Sequence, residues 1–173
     1  MKISYSWLKQ YVDTDLAPER VSEVITSTGL EVDSMERIEA IRGGLAGVVV
    51  GEVLTCDKHP DADKLSVTTV DVGEQKPLCI VCGAPNVAKG QKVLVATIGT
   101  TLYFSGGEVS IKKAKLRGVS SEGMICAEDE LGLSDDHGGI MVLDETKYEV
   151  GKPFADYFEL TNDEVYEIGL TPN

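Results

Sequence analysis

Side chains that could hold phosphate fall in two groups along the chain. The first is the turn-rich stretch Lys58-His59-Pro60-Asp61-Ala62-Asp63-Lys64-Leu65. Lys58 and Lys64 are point charges there, and His59 adds a ring that can stack on a base or donate a hydrogen bond. The second group is Lys112, Lys113, Lys115 and Arg117. Side chains alternate sides along a strand, so a shift of one residue near Lys112 brings Lys113, Lys115 and Arg117 onto one face, with Lys112 on the other. A row of cations on one strand of a barrel suits the tracking of a phosphate backbone. The same lysines would also serve a solvated strand edge, where charge discourages edge-to-edge pairing.

Other chemistry finds less support. Cys79 and Cys82 have the C-x-x-C spacing of zinc and redox sites. Pro77–Cys82 reads as a strand, however, where positions three apart face opposite ways and cannot share a tetrahedral metal. His59 and His137 stand alone, and Cys56, Cys79, Cys82 and Cys126 read as small buried hydrophobes kept reduced. Glu122 stands where a nucleophile elbow built on Ser120 would need glycine. Met124 follows Gly123 where a phosphate loop would need lysine. The acids Glu128-Asp129-Glu130 and Asp135-Asp136 lack calcium-loop spacing and read as a solvated loop. No catalytic residue, metal ligand or cofactor cradle is expected in these residues.

Composition restricts the partners. The 173 residues carry 16 Lys and Arg against 29 Asp and Glu, a formal charge of -13. Nonspecific nucleic-acid binding relies on clustered cations that release counterions, so any RNA contact must use a local patch on an acidic body. No apolar run approaches the ~20 residues of a membrane helix. The start Met1-Lys2-Ile3-Ser4-Tyr5-Ser6 has no apolar signal region. No membrane partner and a cytoplasmic location are expected.

The elements that must position these groups are mostly strands. Residues 1–40 read as two short helices and a strand. Trp7, Leu8, Tyr11 and Val12 share a helical face behind a Ser6 N-cap, which predicts core positions for Trp7 and Tyr11. Pro18 opens a second helix with Val21, Val24, Ile25 and Thr28 on one face and Gly29 as its stop. Leu30–Ile38 reads as extended. From there strand-like runs recur at Gly47–Leu54, Leu65–Val72, Leu78–Cys82, Lys92–Ile98, Val109–Leu116 and Ile140–Leu143, the count of a five-stranded OB barrel with one strand outside. The apolar phase slips at Thr68-Thr69 and again between Ile111 and Ala114, which predicts β-bulges near Thr68 and Lys112. Residues 118–139 read as a long irregular connection. Pro153 can open a short helix through Phe154, Tyr157 and Phe158, and Glu164–Leu170 alternates as a strand. Neither end has enough apolar material to fold alone, so Leu30–Ile38 is expected to pair with Val165–Leu170. The expected architecture is α+β: a discontinuous domain of residues 1–40 plus 151–173, interrupted by an all-β OB-fold barrel of residues 41–150.

The motifs resemble a known family. His-Pro-x-Ala-Asp-Lys-Leu between two strands is similar to the signature of the tRNA-binding OB-fold module of bacterial phenylalanine–tRNA ligase beta subunits, methionine–tRNA ligases and free-standing tRNA-binding proteins. Ile80-Val81-Cys82-Gly83-Ala84-Pro85-Asn86-Val87, Ile111 to Val119, Ser121-Glu122-Gly123-Met124-Ile125-Cys126 and Glu130-Leu131-Gly132-Leu133 continue the likeness. The flanks are what single out the beta subunits: Met1-Lys2-Ile3-Ser4-Tyr5-Ser6-Trp7-Leu8, Gly29-Leu30-Glu31-Val32 and Glu167-Ile168-Gly169-Leu170-Thr171-Pro172-Asn173. One departure is Ala17 before Pro18 in place of a capping serine, worth about 1 kcal/mol of helix start.

The resemblance implies a noncatalytic fragment of a much longer subunit. In that family an alpha subunit activates phenylalanine with ATP and magnesium and transfers it to tRNA within an α2β2 tetramer. The family's catalytic residues match nothing in this chain. Two roles stay open: an RNA-binding segment using Lys58, His59, Lys64, Lys112, Lys113, Lys115 and Arg117, or a structural docking domain that rarely touches RNA. A free-standing tRNA-binding chaperone is a third.

Overall fold

The structure is a computed structural model and describes residues 1–104, 107–158 and 162–169. In chain order its elements are β1 (Lys2–Ser4), α1 (Tyr5–Leu8), α2 (Pro18–Ser27), β2 (Val32–Ile38), β3 (Val48–Lys58), β4 (Ser66–Asp71), β5 (Leu78–Cys82), β6 (Lys92–Thr97), β7 (Thr101–Phe104), β8 (Gly107–Ser110), β9 (Ala114–Leu116), β10 (Val119–Ser121), β11 (Gly123–Ile125), β12 (Val142–Leu143) and β13 (Asp163–Ile168). The chain is thus mostly β with few helices. It divides into two compact units, Met1–Ala40 with Leu160–Asn173, and Ile41–Glu159. No helix among the described residues is long and apolar enough to cross a membrane.

The first unit is a three-stranded antiparallel sheet in the order β1-β13-β2. Tyr166 pairs with Ile3 on one side and Met35 on the other. Its ring is buried with Val21 and Ile168, and its hydroxyl donates to the Pro18 carbonyl at 2.9 Å. Burial pushes that phenol up to about 12. Pro18 opens α2 behind Ala17, which supplies no side-chain cap, and Gly29 follows the helix with φ +98°. The end of the Glu167–Asn173 motif, from Leu170 on, lies outside the described residues.

Helix α1 differs from the sequence pattern. Ser4, not Ser6, is its cap and accepts from the Trp7 amide. The helix stops after Leu8, one turn long, so Tyr5 and Leu8 pack against the Tyr166 cluster but the apolar face does not extend to Tyr11. Trp7 and Tyr11 are therefore 51% and 71% exposed, stacked edge to face at 5.0 Å. Val24 of α2 also stays exposed, while Val21 and Ile25 carry the packing.

The second unit is a six-stranded sheet, β11-β6-β3-β4-β5 with β12 also on β6, that nearly closes into a barrel. Its two ends meet where the Glu122 amide donates to the Cys79 carbonyl at 2.8 Å and the Val81 amide to Ser121 Oγ at 3.1 Å. Val48, Val50 and Val53 from β3, Val70 from β4, Ile80 from β5 and Val93, Leu94 and Val95 from β6 are among its buried residues. Gly51 lets β3 pass close by: a Cβ there would lie 2.8 Å from Val70 Cγ1 and 2.9 Å from Val95 Cγ2.

Other expectations change in this second unit. No bulge sits in β4: Thr68 stays on the inward face with Val70 and Val72, fully buried, because its hydroxyl donates to the Ile80 carbonyl at 2.8 Å. The register shift falls on the partner strand, where Leu54 is the extra residue between the Val53–Val70 and Thr55–Thr69 pairs. Nor is 109–116 one bulged strand. β8 pairs with β7, and Ile111 then turns inward, its amide on the Thr100 carbonyl and its carbonyl accepting from Gly99, each at 2.8 Å. β9 belongs to a separate hairpin with β10.

The connection 118–139 is not irregular throughout, since it holds β10, β11 and a 3-10 turn at Asp129–Leu131. Its acids are not all merely solvated: Glu130 accepts from the Ala127 amide at 2.7 Å, and Asp129 bonds His137 at 2.8 Å. Finally, Gly151–Phe158, placed by the sequence pattern with the chain ends, packs with the second unit. Phe154 is fully buried beside Val48 and Leu94, and the Lys152 carbonyl accepts from the Val50 amide at 3.0 Å.

Candidate nucleic-acid interface

The turn-rich motif is the loop from β3 to β4. The His59 amide donates to the Leu65 carbonyl at 3.0 Å and closes the loop at its base. Inside it the Leu65 amide turns back to the Ala62 carbonyl at 3.1 Å. Pro60 has no amide to leave unpaired in this turn.

His59 does not face outward, contrary to its expected role in stacking on or donating to RNA. It is 4% exposed. The Asp61 amide donates to its Nδ1 at 3.1 Å, and its Nε2 lies 3.1 Å from the Leu116 carbonyl. With Nδ1 accepting, the neutral ring carries its proton on Nε2 and donates it to Leu116. The ring is spent on tying the loop to the β9–β10 hairpin.

That hairpin turns through two residues, Arg117 and Gly118, between the paired Leu116 and Val119. Both have positive φ, +44° and +92°, the pattern of a type I′ turn. Glycine accepts this backbone freely, whereas at the first position Asn, Asp or Gly is favoured and arginine is strained. The strain places a guanidinium at the tip of the hairpin. There Arg117 lines an open cleft of about 510 Å³ with Asp61, Ala62, Asp63, Lys64 and Leu65. Two cations, Lys64 and Arg117, thus meet across the loop and the hairpin, and two carboxylates share the cleft with them.

The other expected contacts are dispersed. Lys58 is exposed at the end of β3 and Lys115 is exposed on β9, opposite Ser120. Lys112 is exposed but lies outside any strand, so the single cationic row does not form. Lys113 is already engaged: its Nζ donates to Glu122 Oε1 at 2.6 Å. That hydrogen bond, and then the charge behind it, hold the Glu122 carboxyl below its usual range. The residue missed by the pattern is Leu116, whose contribution is a backbone carbonyl and so leaves no trace in side-chain type.

The remaining motifs serve the fold. Asn86 clamps Ile140, accepting its amide and donating to its carbonyl, each at 2.9 Å. Cys82 and Cys126 are buried thiols, and burial pushes Cys126 up to about 12. Among the described residues no group of three or more His, Cys, Asp or Glu is placed to hold a metal.

Residues 48–153 match the family model described as "Putative tRNA binding domain". Over all of its length the chain is 53% identical to 21% of the phenylalanine–tRNA ligase beta subunit of Bacteroides thetaiotaomicron. It is likewise 53% identical to 21% of that of Porphyromonas gingivalis. Against the beta subunit of Salinibacter ruber it is 49% identical, covering 22% of that protein. The chain thus spans about a fifth of the length of the curated relatives it matches.

Proposed function

Because the chain belongs to the putative tRNA binding domain family, we propose that its barrel is an OB fold that contacts tRNA as a noncatalytic segment of a phenylalanine–tRNA ligase beta subunit. The contact residues are Lys64 and Arg117 in the cleft, with Lys58 and Lys115 as exposed cations outside it. They act as phosphate contacts, which fix position without reading sequence. The whole protein would attach phenylalanine to its tRNA in the cytoplasm, with ATP and magnesium and an alpha subunit in an α2β2 tetramer. We assign no catalytic role to any residue of this chain. Residues 1–40 and the end of the chain would form one α+β domain that the barrel interrupts.

The observation that carries this reading is the meeting of Lys64 and Arg117 in one cleft formed by two separate motifs. A tRNA titration of the complete ligase over a range of salt tests it. Lys64→Glu with Arg117→Glu should weaken binding and lower the salt slope by about 1 for each phosphate no longer held. An unchanged affinity and slope would favour the second reading, a docking domain with little RNA contact, which the charge of -13 supports.

A further inference from the structure

We infer that His59 is the positioning residue of the tRNA-facing cleft. It fixes the loop that carries Lys64 against the hairpin that carries Arg117, so that both cations bear on one stretch of phosphate. The inference rests on the proposed tRNA contact.

His59 is buried, so its effect on RNA must pass through other residues. Its two ring bonds do different work. The Asp61 amide on Nδ1 is local, two residues along the chain. The Nε2 bond to Leu116 crosses 57 positions and reaches the residue next to Arg117. The loop keeps its own backbone closure, His59 amide to Leu65 carbonyl, whatever side chain stands at 59. Without the Nε2 bond the loop would still be a loop. It would no longer stand at a fixed separation from the hairpin tip. A polar group left inside without a partner is also costly, so the buried ring stays where both nitrogens are satisfied.

The two bonds can be separated by substitution. Asparagine puts an acceptor where Nδ1 is, keeping the Asp61 turn, but it is too short to reach Leu116. Glutamine is one methylene longer, and its amide N–H can take the place of Nε2 while the acceptor for Asp61 is given up. The test is tRNA affinity of the complete ligase at ~50 mM salt, where phosphate contacts are strongest, with thermal midpoints taken alongside. The expected order has His59→Gln near the unmodified protein and His59→Asn weaker by about five-fold. Adding His59→Asn to Arg117→Met should then cost little more, since the cation it positions is gone.

The reverse order, equal weakening in both variants, or no weakening in either would overturn the inference. Should His59→Asn fail to fold, a double-mutant cycle of Lys64→Met and Arg117→Met, run in the unmodified protein and in His59→Leu, which fills the volume without the Nε2 bond, decides. Coupling that falls in His59→Leu supports the inference, and coupling of equal size in both backgrounds overturns it. The tRNA reading fails separately, and takes the inference with it, if Lys64→Glu with Arg117→Glu leaves affinity unchanged. Sensitivity to those reversals with indifference to His59→Asn sinks the positioning role alone.

Discussion

His59 Nε2 and the Leu116 carbonyl oxygen lie 3.1 Å apart, joining the loop after β3 to the hairpin of β9 and β10. This one bond changes how the motif around it is read. A histidine between Lys58 and Pro60 looks like a surface group ready to meet a ligand. Buried, it becomes an internal strut, and the ligand-facing work passes to the charged residues at either end of it. Strain at the hairpin tip and the mixed charge of the cleft then give measurable consequences.

Arg117 occupies a backbone position that favours Asn, Asp or Gly. Relieving a non-glycine left-handed residue is worth on the order of 1 kcal/mol. Arg117→Asn is expected to stabilise the protein by that amount in denaturant unfolding while weakening tRNA binding. A stability gain with unchanged affinity would mean that the guanidinium has no partner in RNA.

Asp61 and Asp63 share the cleft with Lys64 and Arg117. A carboxylate beside a phosphate site repels the incoming anion, and the effect is screened by salt. Asp63→Asn is expected to raise tRNA affinity about three-fold at low ionic strength and to have little effect above ~0.5 M salt, where the screening length falls to a few ångströms. Titrations at the two salt concentrations check both halves of the expectation.

Lys113 behaves differently from its neighbours because Glu122 already occupies its ammonium group. Lys113→Met is expected to leave tRNA affinity and salt slope unchanged, whereas Arg117→Met lowers both. The Glu122 carboxyl, now held below its usual range by Lys113, should titrate closer to an ordinary carboxylate in the variant. Side-chain carbonyl shifts followed through an NMR pH titration would record the change.

Much of this was legible in the residues themselves. Alternation placed β4, β5, β6 and the start of β3, although β3 runs four residues past the expected Leu54 to Lys58, and the two end strands pair as expected, Asp163–Ile168 on Val32–Ile38. The failures have physical causes. Thr68 misleads the pattern because a threonine on the core face looks polar until its hydroxyl finds the Ile80 carbonyl. β9, β10 and β11 are three residues each, too short to show a period. The break at Ile111 resembles a bulge in sequence because both shift the apolar phase by one. The site was half legible for the same reason: lysines and arginine can be counted, but the Leu116 carbonyl that sets their spacing cannot.

The first unit offers a prediction at acid pH. Asp163 accepts from the Ser6 amide at 3.0 Å and the Ser6 hydroxyl at 2.7 Å, and from the Ser4 hydroxyl. Burial pushes its carboxyl up, but these hydrogen bonds outweigh burial and hold it below the usual range. A carboxylate with a lowered folded-state value contributes stability above its unfolded value. That contribution disappears as pH falls through the folded value. Asp163→Asn keeps the shape and gives up the charge-assisted acceptor. The variant is therefore expected to be less stable at neutral pH, with the difference shrinking below about pH 4, where an ordinary aspartate protonates. Urea unfolding at a series of pH values measures it. A difference that stayed constant into acid would mean that the serines bond the carboxyl equally well in either protonation state.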